Sequence, residues 1–173
     1  LASGISNQDT PQDHIFFSTI YNFAIKNKIK YVFTGGNIAT ESIFPKSWHG
    51  EAMDAINLKA IHKKFGSKKL VDYKTVSFME LYFLFPFIYG IKPIRPLNFI
   101  PYNRDLALDE LKTKINWSYY GQKHGESIFT KLFQNYILPT RYGYDKRRPH
   151  LSSLIVSGQM KREEAIKKLK MPL

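Results

Sequence analysis

Apolar residues recur at helical spacing through residues 10–26. Phe16, Ile20 and Phe23 form one row, and Phe17, Tyr21 and Ala24 lie beside it. Thr10-Pro11 supplies an N-cap hydroxyl followed by proline at the first helical position, so a helix with a broad apolar inner face is predicted to about Lys26. The period then changes. Tyr31-Val32-Phe33 is a short aromatic and β-branched run that ends in Thr34-Gly35-Gly36. It predicts a buried parallel strand stopping at a tight turn, with helices on the sheet faces. Met53, Ile56, Ala60 and Ile61 mark the inner face of a second helix closed by Gly66.

Ser77-Phe78-Met79-Glu80 has the capping-box pattern and opens a nearly continuous apolar run from Leu81 to Ile88. The run falls short of the roughly 20 residues a membrane span needs, and Pro86 would kink it; a buried core helix is expected. Arg95-Pro96 and Pro101 mark an irregular connection, after which Asn103 caps a helix running through Lys112. Further helices are predicted over residues 126–136, stopped before Pro139, and over residues 149–156, closed by Gly158. A short solvated helix carrying Glu163, Glu164, Lys167, Lys168 and Lys170 follows. No internal repeat or linker interrupts the pattern.

Composition narrows the picture. The 173 residues carry 26 Lys and Arg against 14 Asp and Glu, a formal charge of +12, which favours polyanionic partners such as nucleotides, sugar nucleotides, nucleic acid or an anionic membrane face. Aromatic content is high, with 13 Phe, 11 Tyr and 2 Trp. Cysteine is absent, which removes disulfides, thiolate nucleophiles and thiolate metal sites; a reducing cytoplasm is the natural compartment. The five histidines show no metal-ligand spacing, so no zinc site is expected. The N-terminus carries no basic-then-apolar signal pattern.

Candidate chemistry gathers at three places. At the strand end, the backbone N–H groups at Gly35 and Gly36 can hold phosphate or carboxylate oxygens, or serve ordinary turn chemistry, with Asn37 and Glu41 just beyond. Glu41 and Ser42 by themselves suit an ordinary helix N-terminus. Trp48 with His49 suits stacking on a sugar or base ring, or a place in the core. Lys123 with His124, and the denser cluster of Arg141, Lys146, Arg147, Arg148 and His150, suit anions, because arginine's planar fork engages phosphate or carboxylate at two points. Arg147 and Arg148, between Asp145 and Pro149, are read as functional; Lys146 is read as part of a solvated face. His14 is read as structural in preference to an oxyanion donor.

Several segments in order carry a family resemblance: Asn7-Gln8-Asp9-Thr10-Pro11-Gln12-Asp13-His14, Thr34-Gly35-Gly36-Asn37, Ser47-Trp48-His49, Arg95-Pro96-Leu97-Asn98, Tyr119-Tyr120-Gly121-Gln122-Lys123-His124 and Gly143-Tyr144-Asp145-Lys146-Arg147-Arg148-Pro149-His150. Together they resemble the N-acetyl sugar amidotransferases of bacterial surface-polysaccharide (LPS and O-antigen) biosynthesis, in the PP-loop ATP pyrophosphatase superfamily. The resemblance implies an α/β fold: the helix-rich part of a Rossmann-like domain of the adenine nucleotide alpha hydrolase type, with a helical C-terminal region. Residues 1–75 would be the remnant of the ATP pyrophosphatase domain and residues 76–173 the helical region packed on it as one continuous unit.

It further implies ATP and Mg²⁺ as cofactors and a sugar nucleotide as substrate. Ammonia would come from a separate glutaminase subunit; nucleic acid would not be a partner, no segment would span a membrane, and a homo-oligomer stays open. Thr34, Gly35, Gly36, Asn37 and Glu41 would contact ATP, and Trp48, Lys123, His124, Arg141, Arg147 and Arg148 the sugar nucleotide, with no resident metal site. One departure stands out. The superfamily's Ser-Gly-Gly-x-Asp-Ser loop is absent from the 173 residues, and the first residue is Leu1. This leads to the expectation of a middle and C-terminal portion of a longer enzyme, inactive by itself. A PP-loop enzyme acting on tRNA and a non-catalytic basic module are the alternatives.

Overall fold

A computed structural model describes residues 2–48, 52–123 and 125–172. The chain divides into two compact units, Leu1–Thr34 with Lys46–Ile94, and Gly35–Pro45 with Arg95–Leu173.

The first unit begins with α1, Thr10–Lys26. Its start lies one residue from the expected position: Asp9 is the N-cap and Pro11 stands in the first turn, while the Thr10 hydroxyl donates to the Asn7 carbonyl at 3.2 Å. The buried face of α1 is the expected one only in part: Ala24 is in the core and Tyr21 packs on it. Thr10, His14, Ser18 and Ala24 are buried, whereas Phe16, Phe17 and Phe23 are exposed. Polar groups face inward because they bind the chain that crosses them. His14 Nδ1 meets the Ala52 carbonyl at 3.1 Å, and its Nε2 accepts from the Val76 N–H at 3.0 Å. The Ser18 hydroxyl donates to the Lys74 carbonyl at 2.8 Å. A loop backbone laid against a helix must satisfy its own donors and acceptors, and a row spaced by four residues does this where an apolar row would not.

The strand β1, Tyr31–Phe33, pairs in parallel with β2, Lys92–Ile94, in the register Tyr31 to Lys92, Val32 to Pro93 and Phe33 to Ile94. The parallel direction matches expectation, but the burial does not. Phe33 is 73 % exposed and Tyr31 also faces outward, leaving only Val32 half-buried. The Thr34 N–H extends the ladder to the Ile94 carbonyl at 2.9 Å. Helix α3, Ala55–Phe65, is capped by Asp54, whose side chain accepts from the Asn57 N–H at 2.9 Å. It buries Ala55 and Leu58; of the expected inner face Ile56 and Ala60 are exposed, whereas Ile61 is half-buried and Met53, just before the helix, packs on the core.

The capping box closes as expected, with Glu80 Oε2 accepting from the Ser77 N–H at 2.8 Å and Ser77 Oγ accepting from the Glu80 N–H at 3.3 Å. The segment it opens, Glu80–Ile88, is a π-helix and not a buried α-helix. Pro86 has no N–H to give, and the wide i→i+5 turn accommodates it. Phe85 is its buried residue; Phe83, Phe87 and Ile88 are exposed. The core of this unit is small: Ala24, Val76, Phe85 and Ile91, flanked by Tyr21, Ile25, Val32, Met53 and Leu81.

The second unit contains a short α2, Ile38–Glu41, then α4, Arg104–Ile115, α5, Ile128–Leu132, a π-helix, Phe133–Tyr142, α6, Arg147–Val156, and α7, Arg162–Lys170. Asn103 Oδ1 accepts from the N–H groups of Asp105 and Leu106 at 3.0 Å, and α4 runs to a left-handed Asn116, past the expected end. Pro139 does not stop its helix: the backbone widens to π geometry, passes through the proline and ends at Gly143 with φ of 69°. Phe133, Leu138, Leu151, Leu154 and Ala165 are its buried apolar residues.

Candidate functional site

Helix α2 packs on α6. Asn37 caps α2, its Oδ1 accepting from the Thr40 N–H at 2.9 Å. Ser153 of α6 is fully buried; its Oγ accepts from the Ile43 N–H at 3.0 Å and donates to the Pro149 carbonyl at 3.0 Å. Two amide side chains complete the frame. Gln159 accepts from the Arg104 N–H at 2.8 Å and donates to the Tyr102 carbonyl at 3.1 Å, which fixes the start of α4. Gln122 and Asn135 pair at 2.8 Å, which ties the loop carrying Lys123 to the π-helix.

These contacts enclose a cavity of about 500 Å³ within the second unit. Its charged lining is Glu41, Arg104, Lys123, Asp145, Lys146, Arg147 and Lys168, with His150 among them. Five cations against two carboxylates leave an excess of positive charge. Lys123 Nζ bonds Glu41 Oε1 at 2.6 Å. The Arg104 guanidinium lies over the Tyr119 ring at 5.2 Å, and Lys146 Nζ over Phe44 at 4.6 Å.

Arg147 is occupied by the protein itself. Its Nε and Nη2 donate to the Asp145 carboxylate at 3.1 and 2.9 Å, and Nη1 donates to the Met171 carbonyl at 2.8 Å. It therefore straps the end of α7 to the start of α6. Burial alone would raise the Asp145 carboxyl, but the bonds from Arg147 and the charges of Arg147 and Arg148 outweigh it and hold Asp145 below the usual carboxylate range.

His150 behaves differently. Burial first, and then the charges of Lys123 and Arg104, push its pKa down to about 4; the Thr40 backbone and Glu41 oppose this without outweighing it. The ring is therefore neutral near pH 7.

Of the residues expected to contact ligands, Glu41, Lys123 and Arg147 line the cavity. Arg141, over the Tyr142 ring at 5.6 Å, and Arg148 are exposed and do not line it. Trp48 ends a 3₁₀ turn of the first unit, where its carbonyl accepts from Ser6. His49 and His124 lie outside the described residues. Thr34 belongs to the first unit, and its N–H is spent on the sheet. A Cβ on Gly35 would meet nothing within 4 Å, and one on Gly36 would lie 3.4 Å from Glu41 Oε2 and 3.7 Å from Arg95 Nε. The turn is thus open to a ligand, with Arg95 alongside. Sequence reasoning missed Arg104, which follows the capping Asn103 and carries no local signal of a binding role. It also read Lys146 as solvated, whereas Lys146 lines the cavity.

Residues 126–173 match the family model of the LPS biosynthesis protein WbpG-like, C-terminal domain. That match supports a place in LPS biosynthesis. The matched segment runs from α5 to the chain end and supplies the cavity wall from Gln134 to Pro172. No curated protein and no solved structure matches the chain.

Proposed function

We propose that this protein serves LPS biosynthesis by binding a sugar nucleotide for an ATP-dependent amidotransferase, in which an N-acetyl group becomes an acetamidino group. In that reaction ATP activates the amide oxygen with loss of pyrophosphate, and ammonia from a glutaminase partner displaces AMP. The observation that carries the reading is the cationic cavity, walled in large part by the segment that matches the LPS family model. Arg104, Lys123 and Lys146 would neutralise the diphosphate, and Arg147 would hold the wall on which Lys146 sits. Cations already held in place suit that task, since they need no reorganisation when the charge arrives.

ATP would approach the open turn at Gly35 and Gly36, near Arg95. Mg²⁺ fits less well: among the described residues no three His, Asp or Glu side chains converge, and Glu41 is held by Lys123. We derive no step through the metal. Among the described residues no helix is long and apolar enough to cross a membrane; a cytoplasmic site of action is part of the proposal.

Isothermal titration with a UDP-linked N-acetyl sugar, UDP and ATP tests the reading. Preference for the UDP-sugar over UDP, lost in a Lys123→Ala variant, is the expected result. Equal affinity for all three, or tighter binding of RNA with steep salt dependence, would overturn it. With the Ser-Gly-Gly-x-Asp-Ser loop absent from these residues, the purified chain should release no pyrophosphate from ATP.

A further inference from the structure

Two histidines of this chain offer an internal comparison. His14 is fully buried and both of its ring nitrogens are bonded, Nδ1 to the Ala52 carbonyl and Nε2 to the Val76 N–H. His150 is half-buried on the cavity wall, and its Nδ1 is the only buried side-chain polar atom among the described residues with no hydrogen-bond partner. Leaving such an atom unpaired costs about 1–3 kcal/mol, so native structures seldom keep one without use. An apolar side chain would fill the same place without that penalty.

The surroundings of His150 define what would pair with it. It sits in the first turns of α6, near the positive end of the helix, and the charges of Lys123 and Arg104 bear on it. A ring between cations resists taking a proton, so it does not serve as a cationic anchor; the lysine and arginine already fill that role. A bare imidazole nitrogen accepts a hydrogen bond from an uncharged donor. The complementary ligand is therefore an anion that carries an N–H or O–H close to its charged group. Inorganic phosphate carries an O–H only on the charged group itself, where the cations sit, whereas a glycosyl phosphate with an acetamido group adds neutral N–H and O–H donors beside that group.

From this juxtaposition we infer that His150 is a specificity-determining residue of the cavity: its ring accepts a hydrogen bond from a neutral N–H or O–H of a glycosyl phosphate whose anion is held by Lys123 and Arg104. The inference deepens the sugar-nucleotide reading of the same cavity and rests on it. Lys123 has three N–H donors and gives one to Glu41, so an arriving anion can be bound without first breaking that ion pair.

The test uses the full chain labelled with ¹⁵N-histidine, and the probes are N-acetylglucosamine 1-phosphate and inorganic pyrophosphate. Saturation with the sugar phosphate should move the His150 Nδ1 signal, and pyrophosphate should leave its hydrogen-bonded state unchanged. His150→Leu should weaken sugar-phosphate binding about tenfold, the worth of one neutral hydrogen bond, with pyrophosphate affinity unchanged. His150→Asn, which places an amide oxygen near the position of Nδ1, should restore most of the loss. If His150→Leu fails to fold, as judged by circular dichroism, the wild-type spectra and the Asn variant decide the matter. An unmoved Nδ1 signal at saturation, equal sugar-phosphate affinity in wild type and the Leu variant, or no binding of either probe would each overturn the inference. Binding of UDP-sugars with an unmoved His150 would overturn it while leaving the functional reading standing. A His150-dependent sugar-phosphate site that rejects every UDP-sugar would do the reverse.

Discussion

The two units satisfy their buried polar residues alike and differ at one histidine. In the first, His14 and Ser18 turn inward along α1 and bind the backbone crossing them, and Thr10 binds the Asn7 carbonyl just before the helix, so each is satisfied by the protein itself. In the second, polar side chains gather round a cavity, and one of them, His150 Nδ1, has no partner. The first arrangement adds stability where the apolar core is small. The second leaves part of its hydrogen-bonding capacity unspent, which is what a binding site requires before its ligand arrives.

The sharpest way to break this comparison is to remove each histidine in turn. His14→Leu strands the Ala52 carbonyl and the Val76 N–H in the interior, and each loses about 1–3 kcal/mol of compensation. We expect the variant to be destabilised by about 3 kcal/mol in urea unfolding. His150→Leu removes an unpaired Nδ1 and gives up only the contact with the Thr40 backbone, so it should cost less than about 1 kcal/mol. Equal losses in the two variants would show that His150 is a structural residue after all.

Arg147 comes next in size. Its side chain spans Asp145 and the Met171 carbonyl, and it is partly screened by solvent. Arg147→Ala should cost about 2 kcal/mol, within the usual range for hydrogen bonds to a charged group, and should expose the last turn of α7 to limited proteolysis. Arg147→Lys should recover little, since a lysine cannot reach the carboxylate and the carbonyl together. Were the Ala variant as stable as wild type but unable to bind UDP-sugar, Arg147 would belong to the ligand and not to the frame.

How much of this was legible in the sequence follows from the range of the interactions. The start of α1, the capping box at Ser77 and Glu80 and the Asn103 cap are local, and the residues announced them. The parallel direction of β1 was readable from an apolar run ending in two glycines; its partner was not, because Pro93 breaks the strand pattern of Lys92–Ile94. Part of the buried face of α1 was misread because periodicity equates apolar with inside, and here the crossing backbone needed polar partners. Both described π-helices lie where a proline signals a stop or a kink in an α-helix. For the cavity, Lys123 and Arg147 stood in conspicuous motifs, but Arg104 reaches it through a tertiary contact made by Gln159, which no spacing rule reports.

The smallest effect is a pH dependence, and its window sets His150 apart from the carboxylates. An unfolded histidine titrates near pH 6.5, whereas His150 in the folded chain takes a proton only at about 4. Between these values the unfolded chain binds the extra proton, so stability is complete above about pH 6.5 and falls as the pH drops towards 4. The full separation would amount to more than 3 kcal/mol at about 1.4 kcal/mol per unit; the ring is partly exposed, and solvent screening brings the expected loss to about 1–2 kcal/mol. Asp145 and Glu80, both held below the usual carboxylate range, give up their stabilisation at lower pH, as each falls through its folded value. Subtracting the urea stability curve of His150→Leu from that of wild type isolates the histidine. A difference that grows between pH 6.5 and 4 and then levels is expected. A flat difference would mean that His150 meets water or a proton donor in the folded chain, and the contrast with His14 would lose its basis.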